Sequence, residues 1–282
     1  MNTRMIEKTL GKKFDDYVAS IGDKAVQDAV KKNSIITGGS IVSLLLNERV
    51  NDYDIYFRDM ETVKSVAEYY VGMFNSMGEH IEIKPRVEII GDRVKIIVQS
   101  EGVVSQAGDA ADKEYAEKPE KATPYRPVFM SANAITLSGN IQLVTRFYGN
   151  PEEIHKNYDY IHCCNYWESN TKKLTLTSAA LESILTKTLY YQGSLYPVCS
   201  VIRMRKFLKR GWYINAGQIL KMLFQISNLD LTDIDTLEEQ LTGVDAAYFR
   251  HVIDWCKKKK AEDPDFKVTA PYLISIIDKI FG

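Results

Sequence analysis

The sequence predicts an α+β fold, with a first half built on a mixed sheet with flanking helices and a helical C-terminal half. Three observations predict it. Before residue 170, short apolar or alternating runs are interleaved with stretches of helical spacing. Beyond residue 177, the periodic segments are all helical. The two halves, 1–170 and 171–282, are each of a size that suits a domain.

Taken in order, Met5, Leu10, Phe14, Val18, Ile21, Ala25 and Val30 recur at helical spacing over residues 4–32, and Gly11 and Gly22 are expected to split this region into two helices. Ile35-Ile36 is a short apolar run, followed by Thr37-Gly38-Gly39-Ser40. Residues 41–46 then read as a buried helix with Ser40 in a favourable N-terminal position. Asn51 turns the chain into an alternating strand over 52–57. A helix over 60–77 carries Val63, Val66, Ala67, Tyr70 and Phe74 on one stripe. Strands near 81–90 and 93–99 flank the hairpin dipeptide Gly91-Asp92. Residues 100–127, rich in Gly, Ala, Glu, Lys and Pro, read as a mobile insertion. A second hairpin joins 133–137 to 141–147 through Ser138-Gly139-Asn140. Pro151-Glu152-Glu153 opens a short helix, and 158–162 reads as one more strand. Helices are expected over 177–191, 197–209, 215–227, 235–241, 245–260 and 270–280. Trp167, Tyr190 and Tyr191 read as core or interface aromatics.

Composition excludes some classes of function. The formal net charge of −1 rules out a uniformly basic coat for nucleic acid, though not a local basic patch. No apolar stretch reaches the roughly 18–20 residues that cross a bilayer, and the charged N-terminus lacks a signal-peptide core, so no membrane partner and a cytoplasmic location are expected. Cys163, Cys164, Cys199 and Cys256 are expected to be free thiols. His162 beside Cys163 and Cys164 lacks the further ligands a zinc site needs.

The chemistry lies in two short motifs. A Gly-Gly turn before a helix lets backbone N–H groups approach a phosphate, and Ser40 can add a hydroxyl donor. Asp52 and Asp54, two apart on a strand, point to one face, where paired carboxylates can hold divalent ions. Either motif alone is common. Together, twelve positions apart from Ser40 to Asp52, they are far more specific.

Residues 36–57, ITGGSIVSLLLNERVNDYDIYF, resemble the DNA polymerase beta-type nucleotidyltransferase superfamily. The resemblance implies a nucleotidyltransferase-fold sheet over 1–170. It also implies Mg2+ (or Mn2+) held by Asp52 and Asp54, and an NTP whose triphosphate rests on Gly38, Gly39 and Ser40. Such enzymes usually carry a third carboxylate on a neighbouring strand. Asp159 is favoured here for catalysis and metal binding, with Glu88 and Glu82 as alternatives. Lys187, between Leu185 and Leu189, is a candidate triphosphate contact.

Arg203, Lys206 and Arg210, close to Trp212 and Tyr213, are candidate acceptor contacts if the acceptor is RNA. A protein side chain, a small molecule or another nucleotide could also serve as acceptor. In overall order the chain resembles RNA nucleotidyltransferases with a helical C-terminal half, but the Arg-Arg-Asp stretch expected after the acidic strand is missing. A non-catalytic module of the same fold, binding nucleic acid or a partner protein, is the alternative if no third acid reaches the metal pair. Glycosyltransferases also use Asp-x-Asp, but the Gly-Gly-Ser helix start argues against that class.

Overall fold

The computed structural model describes residues 2–77, 84–97, 125–241 and 247–281. These divide into two compact units, one ending at Thr186 and the other starting at Lys187.

The first unit opens with α1 (Thr3–Ala19) and α2 (Lys24–Asn33). Only Gly22 falls at the break between them. Gly11 lies inside α1, buried beside Trp167; a single glycine lowers helix propensity but does not end a helix whose face is held by packing. The chain then forms β1 (Ser34–Thr37), α3 (Gly39–Leu45), β2 (Tyr53–Phe57) and α4 (Met60–Met77). Next come β3 (Arg86–Ile90), β4 (Arg93–Ile97), β5 (Pro127–Met130), β6 (Ala134–Leu137), β7 (Ile141–Tyr148), α5 (Pro151–His155), β8 (Tyr166–Glu168), β9 (Lys173–Thr175) and α6 (Ser178–Thr186).

Seven of these strands make one mixed sheet in the order β5-β6-β7-β2-β1-β8-β9, in which β2 and β7 run parallel. The hairpin β3-β4 is a separate two-stranded sheet. The fold class is therefore the α+β mixed sheet with flanking helices that the sequence predicts.

Period-two alternation gives the sheet two different faces. Ile36, Ile55, Phe57, Ile141 and Leu143 pack into the main core with Leu10 and Phe14 of α1 and Val63, Val66 and Tyr70 of α4. Ile35, Tyr56 and Val144 face the other way, against Ile154 of α5, Tyr158 and Tyr166. Proline at the first position of α5 and a capping box between Asn150 and Glu153 fix where that helix starts.

Several local expectations change. Residues 158–162 are not an extended strand: Tyr160 makes a single bridge, and a 3-10 helix follows at Ile161–Cys163, while the burial of Tyr160 and His162 mimics strand alternation. The expected insertion 100–127 lies outside the described residues as far as 124. Tyr125–Pro127 are ordered, and Pro127 begins β5.

The second unit is helical: α7 (Pro197–Lys209), α8 (Ala216–Ile226), α9 (Ile234–Leu241), α10 (Ala247–Glu262) and α11 (Ala270–Phe281). Val252, Cys256, Val268 and Ile276 form one of its cores, and Leu237, Leu241 and Ile253 another. None of the described helices is long and apolar enough to cross a membrane.

Candidate active site

The site is built around the turn from β1 into α3. Gly38 has φ 87° and ψ −148°, a conformation open in practice only to glycine. A Cβ there would stand 3.1 Å from Asp54 Oδ2 and 3.4 Å from the Tyr158 hydroxyl. The glycine thus lets a carboxylate and a phenol close on the backbone, while its N–H donates to the Cys163 carbonyl at 3.2 Å. Gly39 is exposed, with nothing within 4 Å of a Cβ placed on it, and forms the open edge of the turn. Ser40 does not cap the helix. Gly38 holds the cap position, and the buried Ser40 hydroxyl has no hydrogen-bond partner among the described residues.

A buried layer supports this turn. Thr37 Oγ1 donates to the carbonyls of Asn165 (2.8 Å) and Cys163 (3.3 Å), and its lone pair meets His155 Nε2 at 2.8 Å. Burial pulls the His155 pKa down to about 4, so the ring is neutral at pH 7. The His155 and Tyr158 rings lie 5.1 Å apart, and Tyr158 and Tyr56 lie 6.0 Å apart. Burial, and after it the nearby Tyr56 and the Asp54 carboxylate, push the Tyr158 pKa well up, so the phenol keeps its proton.

Strand pairing fixes what stands beside Asp54. β1 places Thr37 opposite it, parallel β7 places Gln142 alongside, and β6 places Thr136 next to Gln142. Asp52 is exposed, immediately before β2. Two carboxylates suit Mg2+, which takes hard oxygen donors and often shares its remaining positions between water and substrate phosphates. The backbone at Gly39 is open, with space beside the turn. Among the described residues, no group of three or more His, Cys, Asp or Glu side chains is arranged to hold a metal.

Residues 8–187 match the Gabija anti-defense 2 protein family. The chain belongs to the Gabija anti-defense 2 family. The matched span nearly coincides with the first compact unit, so the Gly38–Asp54 site lies inside the part that defines this family. Among curated proteins the chain is similar to Gabija anti-defense 2 of Bacillus phage SPbetaL7, with 20% identity over 80% of this chain and 45% of that protein. It therefore spans less than half the length of that relative. Among solved structures it is similar to the Thermotoga maritima CCA-adding enzyme complexed with tRNA, at 13% identity and a TM-score of 0.40, covering 81% of this chain and 49% of that one. It is also similar to the Bacillus stearothermophilus CCA-adding enzyme in complex with CTP, at 11% identity and a TM-score of 0.41, covering 86% and 51%.

The remaining expected residues lie on other elements of the chain. Asp159 is buried in the turn after α5. Glu88 lies on the separate hairpin and pairs with Arg86 at 2.7 Å. Glu82 lies outside the described residues. Lys187 is not on a helix. It follows α6 at φ 48°, and its carbonyl accepts from the Tyr213 N–H in the second unit. Arg203 and Lys206 lie on α7 and Arg210 ends it. Trp212, expected beside them as a stacking surface, is buried edge-on against Phe207. The four cysteines are free thiols. Sequence reasoning missed Thr37, His155, Tyr158 and Gln142. The two aromatics flanking Asp159 marked the right segment, but the side chain that reaches Gly38 is the tyrosine.

Proposed function

We propose that this protein is a phage-type anti-defence protein whose first unit binds a nucleoside triphosphate with a divalent metal. In this reading it transfers the nucleotidyl group to a hydroxyl acceptor, RNA being one candidate. The observation that carries the reading is the closure of Asp54 and Tyr158 on Gly38, next to the open backbone of Gly39. The similarity to Gabija anti-defense 2 of Bacillus phage SPbetaL7 supports the anti-defence role.

Gly38, Gly39 and Ser40 receive the triphosphate, with the Ser40 hydroxyl as an extra donor. Asp52 and Asp54 hold the metal, which when bound neutralises charge on the phosphates and the departing pyrophosphate. The acceptor oxygen bonds to the α-phosphorus as the bond to pyrophosphate breaks. The neutral Tyr158 phenol holds the Asp54 carboxylate in place.

A second reading is nucleotide binding without transfer. It is favoured by Gln142, since the strand position beside Asp54 holds an amide where a third carboxylate would serve catalysis.

One experiment separates the two. The protein is incubated with each α-labelled NTP, Mg2+ and RNA or protein acceptors, while NTP binding is measured by calorimetry. Labelled acceptor, with at least about a hundredfold loss in Asp54→Asn, supports transfer. Metal-dependent binding without labelling supports the second reading. If NTP does not bind at all, both readings are wrong. Phage challenge of cells carrying Gabija, with wild type and Asp54→Asn, tests whether this site serves the anti-defence role.

A further inference from the structure

The cationic residues expected from sequence to contact an acceptor lie in the second unit, but the first unit gathers another set from separated segments. Lys8 and Lys12 stand four apart on α1 and so share a face, with Thr9 and Lys13 beside them. Together with Asp16 and Tyr53 they line a cavity of about 360 Å3.

Lys13 Nζ lies 5.5 Å from the centroid of the Tyr53 ring and 5.1 Å from that of Tyr125. At that range the cation is attracted to both ring faces. The backbone makes room for this arrangement. At Gly139, φ 80°, a Cβ would stand 3.0 Å from a Tyr125 ring carbon and 3.6 Å from Lys13 Nζ. Tyr125 itself sits at φ 62°, which residues with side chains seldom adopt.

Among the described residues, three ammonium groups line the cavity against one carboxylate, Asp16, and the neighbouring Asp15 is engaged with Lys172 at 2.7 Å. Burial holds the Lys13 pKa below its usual value despite the opposing pull of Asp16. An anion in the cavity would relieve both conditions. Tyr53 stands between Asp52 and Asp54 in sequence, but it packs with the main core, whereas Asp54 shares the face of Tyr56. The cavity is therefore separate from the Gly38–Asp54 site while lying at the same end of β2.

We infer that this cavity binds the phosphates of a nucleotide or short nucleic-acid strand. Lys8 and Lys12 take the phosphate oxygens, and Lys13 with Tyr53 and Tyr125 supports the neighbouring sugar or base. The inference does not depend on nucleotidyl transfer.

The test is fluorescence anisotropy on the full chain with two probes, a single strand of about ten nucleotides and a fluorescent ATP analogue, between about 50 and 200 mM salt. Lys8→Ala with Lys12→Ala removes two exposed charges and leaves the core untouched. It should weaken binding about tenfold and flatten the strand's salt slope by about 1.4, at about 0.7 per phosphate contact. Asp54→Asn should bind the strand as wild type does.

If the variant weakens only the ATP analogue, the site stands and its ligand is a mononucleotide. If the variant binds both probes as wild type at every salt concentration, or if wild type binds neither probe, the inference is overturned. It is equally overturned if ATP-analogue binding, the only binding seen, is lost in Asp54→Asn and kept in the lysine variant.

Discussion

Gly38 and Gly39 are neighbours of the same type placed there for different reasons. At Gly38 a side chain would meet Asp54 Oδ2 at 3.1 Å, on a backbone that already excludes L-residues. Gly38→Ala should therefore lower stability by about 1–3 kcal/mol, seen as a reduced Tm without any ligand. Gly39 has open space, so Gly39→Val should leave Tm nearly unchanged and weaken NTP binding instead. A Gly39→Val protein with wild-type NTP affinity would refute the phosphate cradle. His155 gives a pH prediction at the same scale. Its folded pKa of about 4 lies below the usual 6.5, so protonation favours the unfolded chain. The stability it contributes is complete above about pH 6.5 and is lost as pH falls towards 4. His155→Gln should flatten the fall in Tm over that window, and an unchanged pH profile would show that the ring is not held neutral. The glycine turn and both aspartates were legible in the sequence because they lie within 22 consecutive residues. Thr37, His155 and Tyr158 were not, because only tertiary packing brings 155–158 against 37–38.

Among elements, legibility followed the range of the forces that form them. The stripe of α4 and the helices after 196 are written in local periodicity, and their expected bounds fall within a few residues of those observed. β8 and β9, three residues each, were missed. Trp167 belongs to a strand only because it pairs with Ile36, some 130 residues earlier. The same kind of long-range register puts Gln142 beside Asp54, and it can be tested by restoring an acid there. In Gln142→Glu without metal, like charges side by side should lower Tm at pH 7. Added Mg2+ should then raise Tm more than it does in wild type, because a third oxygen ligand joins the pair. Equal Mg2+ shifts in the two proteins would mean that β7 does not face the metal. Within α1, Gly11→Ala places its methyl 3.9 Å from Trp167, an ordinary contact. It should stabilise the protein by about 0.5–1 kcal/mol through helix propensity, readable from the urea midpoint.

At the scale of the whole molecule, an expected boundary near 170 compares with compact units that meet between Thr186 and Lys187. The difference is β9 and α6. β9 closes the sheet against β8, and α6 follows it within the first unit, so neither separates from the strands before it. The buried members of the main core all lie between Ile6 and Trp167, and the partly buried residues packed on it end at Leu176. The family match, 8–187, stops at nearly the same place. A fragment ending at Thr186 therefore keeps its sheet, its main core, the Gly38–Asp54 turn and the lysine cavity together. It should unfold cooperatively in urea and bind the fluorescent ATP analogue within about threefold of the full chain, a difference under 1 kcal/mol. A fragment ending at 170 lacks β9 and α6 and should show a lower midpoint or aggregate. If the 186-residue fragment folds but loses nucleotide affinity by more than tenfold, the second unit contributes directly to nucleotide binding, and Lys187, Arg203, Lys206 and Arg210 become the first residues to replace by alanine.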